Sequence, residues 1–163
     1  MSDEVDMIVA AWRRESPELD VAPMEVLSRV SRLARHLDLA RRDAFAAHDL
    51  EVWEFDVLAA LRREGPPYEL SPGELTRQTL STSATMTNRI DRLEAKGLVD
   101  RQPNAADRRG VRVRLTSEGS ARVSAALADL LAVERSVLAG LEPSVRAELA
   151  DALRRLLVSF EAG

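Results

Sequence analysis

The sequence predicts a mainly α-helical protein with one small β-hairpin. Aromatic residues make up only 4% of the 163 residues, while Ala, Leu, Val and Arg dominate; this composition suits Leu- and Ala-packed helices better than a β-sandwich. Apolar residues recur at helical spacing along much of the chain, whereas VRVRL at 111–115 alternates with period two. The length fits one compact domain, and an apolar fraction of 45% suffices for a core.

Two helices are predicted before residue 49. Val5–Arg14 is amphipathic and should end near Pro17, because the residue before a proline avoids the α region. Pro23 can open a second helix that runs to about Ala47. Its apolar stripe faces either a core or a partner and consists of Val26, Val30, Leu33 and Leu37.

Capping signals mark the next three helices. Glu51–Arg63 keeps a helical period and ends at the GPP run of 65–67. Ser71 can cap a short helix to about Thr79, with Pro72 at the first position and Glu74 returning a capping-box bond. Hydroxyls at 81–83 can cap the third, which ends at Lys96-Gly97. The buried face of this third helix is predicted to hold Met86, Ile90 and Leu93.

A hairpin and two long helices complete the chain. Leu98–Gln102 and Val111–Leu115 are expected to pair, with arginines on the loop between them. Thr116 or Ser117 then caps a helix to about Ala139, and a last helix runs from Pro143 to Phe160. From residue 71 to 116 the order is helix, turn, helix, strand, loop, strand, which is that of a winged helix-turn-helix.

Charge is distributed unevenly along the chain. The formal net charge is −4, yet residues 83–114 hold eight basic and four acidic residues, a balance of +4, so the remaining residues carry −8. A basic patch on an acidic body binds a polyanion in one orientation, because only one face neutralises phosphates. The charge distribution alone is equally consistent with a solvated, salt-bridged surface that binds no polyanion.

The second helix of the motif is the candidate major-groove reader. Its polar side chains can donate to phosphates or base edges, and they are Ser83, Thr85, Thr87, Asn88 and Arg92. On the wing, Arg109 first and Arg108 second can enter a narrow minor groove, with Asp107 orienting an arginine. Arg112 and Arg114 either join this surface or are simply solvated. A polar surface helix without a DNA role is the alternative.

These residues resemble a known family. NRIDRLEAKGLV at 88–99 and DRRGVRVRLT at 107–116 are similar to the MarR family of bacterial regulators, a likeness that extends over nearly the whole chain. The resemblance implies that residues 1–163 form one domain and that two chains form an intertwined homodimer. The helices of 1–48 and 117–163 would form the dimer contacts. The winged modules of 49–116 would bind double-stranded DNA at a pseudo-palindromic site. A dimer would also account for apolar residues in the C-terminal helices that exceed what one small module could bury. The alternative is that they form a core within one chain. These residues are Leu127, Leu130, Leu131, Leu149, Leu153, Leu156 and Phe160.

A narrower resemblance is to the urate-responsive branch of that family. Its tryptophan, aspartate and two arginines match Trp12, Asp56, Arg89 and Arg101. Trp12 can stack on a flat ring and Arg89 can bind an anion, while Arg101 can pair with Asp56 in the empty site. An anionic ligand would compete with Asp56, shift the reading helix and lower DNA affinity. A structural salt bridge beside a core tryptophan is the alternative.

Other classes of protein fit poorly. The chain has no cysteine, which excludes disulfides and thiol redox sensing. His36 and His48 lack a catalytic or metal-ligating arrangement, and no glycine loop for phosphate appears, so we expect no enzyme activity, metal or cofactor. An acidic N-terminus and no membrane-length apolar run predict a cytoplasmic protein, and the family resemblance implies a bacterial one. We therefore expect a ligand-responsive repressor; a constitutive DNA binder or a protein-interaction module is the alternative.

Overall fold

The computed structural model describes residues 2–103 and 110–161. Over these residues the chain forms seven helices and three short strands, which confirms the predicted mainly helical fold. In chain order the elements are α1 (Glu4–Glu15), α2 (Ala22–Ala46), α3 (Val52–Glu64), β1 (Glu69–Leu70), α4 (Pro72–Gln78), α5 (Ser83–Ala95), β2 (Val99–Pro103), β3 (Val111–Leu115), α6 (Ser117–Leu138) and α7 (Pro143–Glu161).

The strands form an antiparallel sheet in the order β1-β3-β2. The predicted hairpin is present, with Val99 opposite Leu115 and Pro103 opposite Val111. Strand β1 was not predicted: its two residues are too few for a period-two signal, and they pair with β3 about 45 positions along the chain. The predicted wing residues Asp107, Arg108 and Arg109 lie outside the described residues.

The main core lies between α3, the helix-turn-helix, the sheet and the first half of α6. Phe45 at the end of α2 stacks on Phe55 of α3, with ring centroids 3.9 Å apart. Met86, Ile90 and Leu93 are buried, as their spacing predicts. Burial of this face sets which side of α5 remains outside.

Local capping fixes where the motif helices begin and end. Ser71 and Glu74 form the predicted capping box, since the Ser71 backbone N–H donates to Glu74 Oε2 at 2.7 Å. Thr82 caps α5, and Gly97 ends it with a left-handed φ of +70°. Thr116 caps α6 through a 2.9 Å bond from the Gly119 N–H.

The terminal helices leave apolar side chains uncovered in the single chain. Helix α1 packs on the start of α2 through a small separate cluster around Val5, Val9 and Val21. Farther along α2, Val26, Val30 and Leu33 are exposed and border a groove of about 790 Å³ with Leu149 and Leu153 of α7. Of the other surplus apolar positions, Leu130 is buried in the core, while Phe160 is 84% exposed. None of the helices in the described part is long and apolar enough to cross a membrane.

Candidate nucleic-acid interface

Helix α5 presents a polar outer face opposite its buried stripe. Ser83, Thr85, Thr87 and Asn88 are all exposed there, as is Arg92. The hydroxyls are already oriented within the helix start: Thr82 donates to Thr85 Oγ1 at 2.9 Å, and Thr87 donates to the Ser83 carbonyl at 3.1 Å. The five predicted reading residues therefore share one exposed helix of the motif.

Arg92 is held against the first turn of α3. Its guanidinium donates to Glu51 Oε1 at 2.6 Å and lies 4.8 Å from the centre of the Trp53 ring. The Trp53 indole N–H also donates to Glu51, at 2.7 Å. These two hydrogen bonds hold the pKa of Glu51 below its usual range, and the bond from Trp53 has the larger effect. The sequence reasoning did not single out Glu51 or Trp53.

Arg101 does not pair with Asp56, and that predicted contact is wrong. The Arg101 guanidinium bonds Asp91 and Glu94 of α5, chiefly Asp91, which raises the pKa of Arg101 above its usual value. Asp56 instead accepts a 3.2 Å bond from Arg41 of α2. Strand β2 directly follows α5, so Arg101 emerges beside the acidic side of that helix. Its single positive charge offsets part of the negative charge of these two carboxylates.

The arginines of β3 are engaged by acids from other elements. Arg112 donates to Glu74 at 2.8 Å, and Arg114 donates to Glu69 at 2.9 Å. Accepting bonds from Ser71, with a smaller contribution from Arg112, keeps the pKa of Glu74 low. Arg112 and Arg114 are thus ion-paired rather than merely solvated, and they tie the wing strand to α4 and β1.

A cavity of about 610 Å³ opens beside this surface, between the end of α2, the start of α3 and α5. It brings together Asp56 and Arg89 of the predicted ligand set, with Trp53 next to them. The Arg89 guanidinium lies 5.3 Å from the centre of the Trp53 ring and donates weakly to Ser81 Oγ at 3.4 Å. Among the ion pairs within the described residues, none involves Arg89.

The other two residues of the predicted ligand set lie elsewhere in the single chain. Trp12 is on α1 and is 46% exposed in the single chain. Arg101 is on the far side of α5, paired as described above. Neither lines the cavity formed by the described residues of one chain.

The two histidines do not form a reactive cluster. His48 Nε2 lies 2.7 Å from Asp129 Oδ2 and links the α2–α3 turn to α6. His36 borders the apolar groove on α2. Within residues 2–103 and 110–161, no group of three His, Asp or Glu side chains is placed to hold a metal ion.

Comparison with known proteins places this geometry among transcriptional regulators. A model of the MarR family matches residues 48–110. The regulator PecS of Dickeya dadantii is 38% identical over 94% of this chain and 92% of its own length. The repressor NicR of Pseudomonas putida is 30% identical over 90% and 93% of the two chains. A solved structure of Bordetella bronchiseptica BpsR, whose DNA binding is regulated by 6-hydroxynicotinic acid, superposes with a TM-score of 0.59 at 30% identity, covering 78% of this chain and 98% of that one.

Proposed function

The chain belongs to the MarR family of winged helix-turn-helix transcriptional regulators, and on that premise we propose that it is a homodimeric repressor released from its operator by a small anionic ligand. As a member of this family it is a DNA-binding regulator and not an enzyme. The operator geometry, the repressor role and the ligand are the parts that we propose.

The polar face of α5 is the observation that carries the DNA-binding part of the proposal. Its apolar side is buried around Ile90, and its other side offers hydroxyl, amide and guanidinium donors. Such groups bond both phosphates and base edges in the major groove. Pairing with Arg101 reduces the repulsion that Asp91 and Glu94 of the same helix exert on DNA. We propose Ser83, Thr85, Thr87, Asn88 and Arg92 as the α5 contacts, with Arg108 and Arg109 on the wing and Asp107 orienting them.

The exposed apolar faces of the terminal helices support a dimer. Val26, Val30 and Leu33 of α2 lie uncovered beside Leu149 of α7 in the single chain. Monomeric proteins rarely expose contiguous apolar patches of this kind. We propose that residues 1–48 and 117–163 cover each other in two copies, which sets the separation of two modules formed by residues 49–116. A two-fold dimer of this kind reads a pseudo-palindromic site.

The cavity beside α5 supports the ligand part of the proposal. Arg89 is a cation on the reading helix with no ion pair in the described chain, and the Trp53 ring lies beside it. An aromatic anion can bond the guanidinium and stack on a ring. If it also competes with Asp56 for Arg41, the contacts between α2, α3 and α5 change and operator affinity falls. Participation of Trp12 and Arg101 requires a rearrangement or the second copy.

Selection of binding sites from randomised duplex, repeated with urate and with 6-hydroxynicotinate, tests the proposal. We expect a two-fold symmetric site to be enriched and one of the anions to release the protein from it. Arg89→Gln and Trp12→Phe should bind the selected site but respond less to the anion. Enrichment without release by either anion would favour the constitutive DNA binder. Failure to enrich any site would favour a protein-interaction module.

A further inference from the structure

Lys96 is the single lysine among the 23 basic residues of the chain. It lies at the C-terminal cap of α5, directly before Gly97. Its ammonium donates to Glu54 Oε2 at 3.0 Å and to the backbone carbonyl of Asp49 at 3.2 Å. Both acceptors belong to the start of α3 or the turn before it, so one side chain joins the end of the reading helix to a different part of the core.

The carboxylate that Lys96 contacts is fully buried. Glu54 is 0% exposed, and its Oε2 also accepts the Glu51 backbone N–H at 2.9 Å. Its other oxygen, Oε1, is buried without a hydrogen-bond partner among the residues that the structure describes. A buried carboxylate is unfavourable unless a cation compensates it. Lys96 is that cation in the described chain, with its ammonium 3.0 Å from Glu54 Oε2.

Other contacts also hold α5: Arg101 of β2 bonds Asp91 and Glu94, whose side chains are 58% and 40% exposed. Met86, Ile90 and Leu93 hold the helix to the core through apolar packing, which sets the buried side of α5 but forms no directional bond. Arg92 and Glu51 pair nearby, but their side chains are 50% and 55% exposed, and exposed pairs contribute little. A charge-assisted bond to a buried carboxylate is directional. Base-edge hydrogen bonds in turn require donors placed within a few tenths of an ångström.

We propose that Lys96 is a positioning residue for DNA recognition: its ammonium, bound to the buried Glu54 carboxylate, sets the position of the reading helix on α3. A compact ammonium suits this role, because three donors can serve Glu54 and the Asp49 carbonyl together at the helix end. The inference depends on DNA binding by the motif and not on the proposed ligand.

Two single variants and their combination test this role. Lys96→Met keeps the length of the side chain but removes its charge, and Glu54→Gln keeps an acceptor for the Glu51 N–H. Arg63→Met is the control, since it removes an exposed cation from the last turn of α3. Each protein is assayed for affinity to the selected operator and to random duplex over a range of salt concentrations, and for thermal unfolding.

Each single variant should bind the operator about tenfold more weakly than the unaltered chain does, a loss of about 1.4 kcal/mol. Affinity for random duplex and the salt dependence should stay unchanged, because counterion release depends on phosphate contacts. The combined variant should lose no more than either single one, since both remove the same contact. Arg63→Met should alter neither affinity.

Four results would overturn the proposal. If Lys96→Met weakens binding to operator and random duplex alike and lowers the salt slope by about one, Lys96 contacts a phosphate. If folded variants with a lower melting temperature bind the operator normally, Lys96 only stabilises the fold. If the single variants do not fold, the combined variant is used instead, because it leaves no unpaired buried charge. Normal operator binding by the combined variant would contradict the proposal, and weakened binding would support it. If the unaltered chain binds operator and random duplex with equal affinity, that result would be seen before any variant is compared. It would reject both the proposed function and the role of Lys96.

Discussion

At the scale of single residues, four arginines in the described part of the motif form ion pairs with acidic residues of the protein, namely Arg92, Arg101, Arg112 and Arg114. Arg101, Arg112 and Arg114 raise the positive charge of residues 83–114, but each is bound to a carboxylate. The sequence predicted which face of α5 is polar, because that follows from local periodicity. It could not predict the partners, because Glu69 and Glu51 come from other elements brought close only by folding.

Arg109→Ala should weaken operator binding about tenfold without unfolding the protein, because a guanidinium at a wing tip is expected to enter the minor groove. Fluorescence anisotropy with labelled operator measures the affinity, and thermal unfolding monitors the fold. Arg63→Ala, which removes an exposed cation of α3, serves as the control for net charge. Unchanged affinity in Arg109→Ala would argue against a DNA contact by the wing.

At the scale of elements, caps and close packing explain why the motif begins and ends where predicted. The Ser71–Glu74 box was predicted from the sequence, because it involves residues three positions apart. Thr82 and Thr116 were each one of the caps that the sequence left open. Strand β1 and the pairing of Asp56 with Arg41 were not, because both depend on contacts between distant segments. Glu51 and Glu54 at the start of α3 have capping-box spacing, but nothing local indicates that Lys96 reaches Glu54.

The capping box at the start of α4 should make the free energy of unfolding depend on pH in the acid range. The pKa of Glu74 is lowered in the folded protein from its ordinary value of 4.5, chiefly by the bonds from Ser71. Its contribution is therefore complete above pH 4.5 and is lost as the pH falls through the lowered folded-state pKa. Glu74→Gln should cost about 1 kcal/mol at pH 7.

Urea unfolding of both proteins between pH 7 and pH 3 checks this dependence. The difference in unfolding free energy should shrink toward the acid end, because Glu74 itself becomes neutral there. A difference that stays constant over that range would show that the charge of Glu74 does not stabilise the cap.

Gly119 is required by the close approach of α6 to the end of α5. A Cβ at this position would lie 2.1 Å from the Leu98 backbone oxygen, so the helix or the strand would have to move. Gly119→Ala should destabilise the protein by about 2 kcal/mol. Gly140→Ala is the matched control, because nothing lies within 4 Å of a Cβ there. Equal unfolding free energies for the two variants would contradict the packing at Gly119.

At the scale of the whole molecule, the apolar faces of α2 and α7 are best explained by a second copy of the chain. The sequence showed more apolar positions than one module could bury, and the single chain indeed leaves Leu33, Leu149 and Phe160 exposed. Which surfaces meet in the dimer could not be read from periodicity, because a stripe such as Val26–Leu37 looks the same whether it faces a core or a partner.

Leu33→Glu should shift the protein from dimer to monomer, because it places a carboxylate in the apolar groove between α2 and α7. Sedimentation velocity over a dilution series measures the assembly. Leu19→Glu is the control, since Leu19 is exposed in the turn before α2 and does not border the groove. A Leu33→Glu protein that remains dimeric at the same concentrations would show that the dimer uses another surface.

Operator spacing tests the central claim, which is that two copies of the chain present two reading helices at a fixed separation. In the selected operator the half-site centres should lie about 10 base pairs, or a multiple of that, apart, with two chains bound per duplex. Inserting about 5 base pairs between them rotates one half-site to the opposite side of the helix and should abolish tight binding, whereas about 10 should restore part of it. Binding of one chain per duplex, with an affinity indifferent to the insertion, would contradict the account.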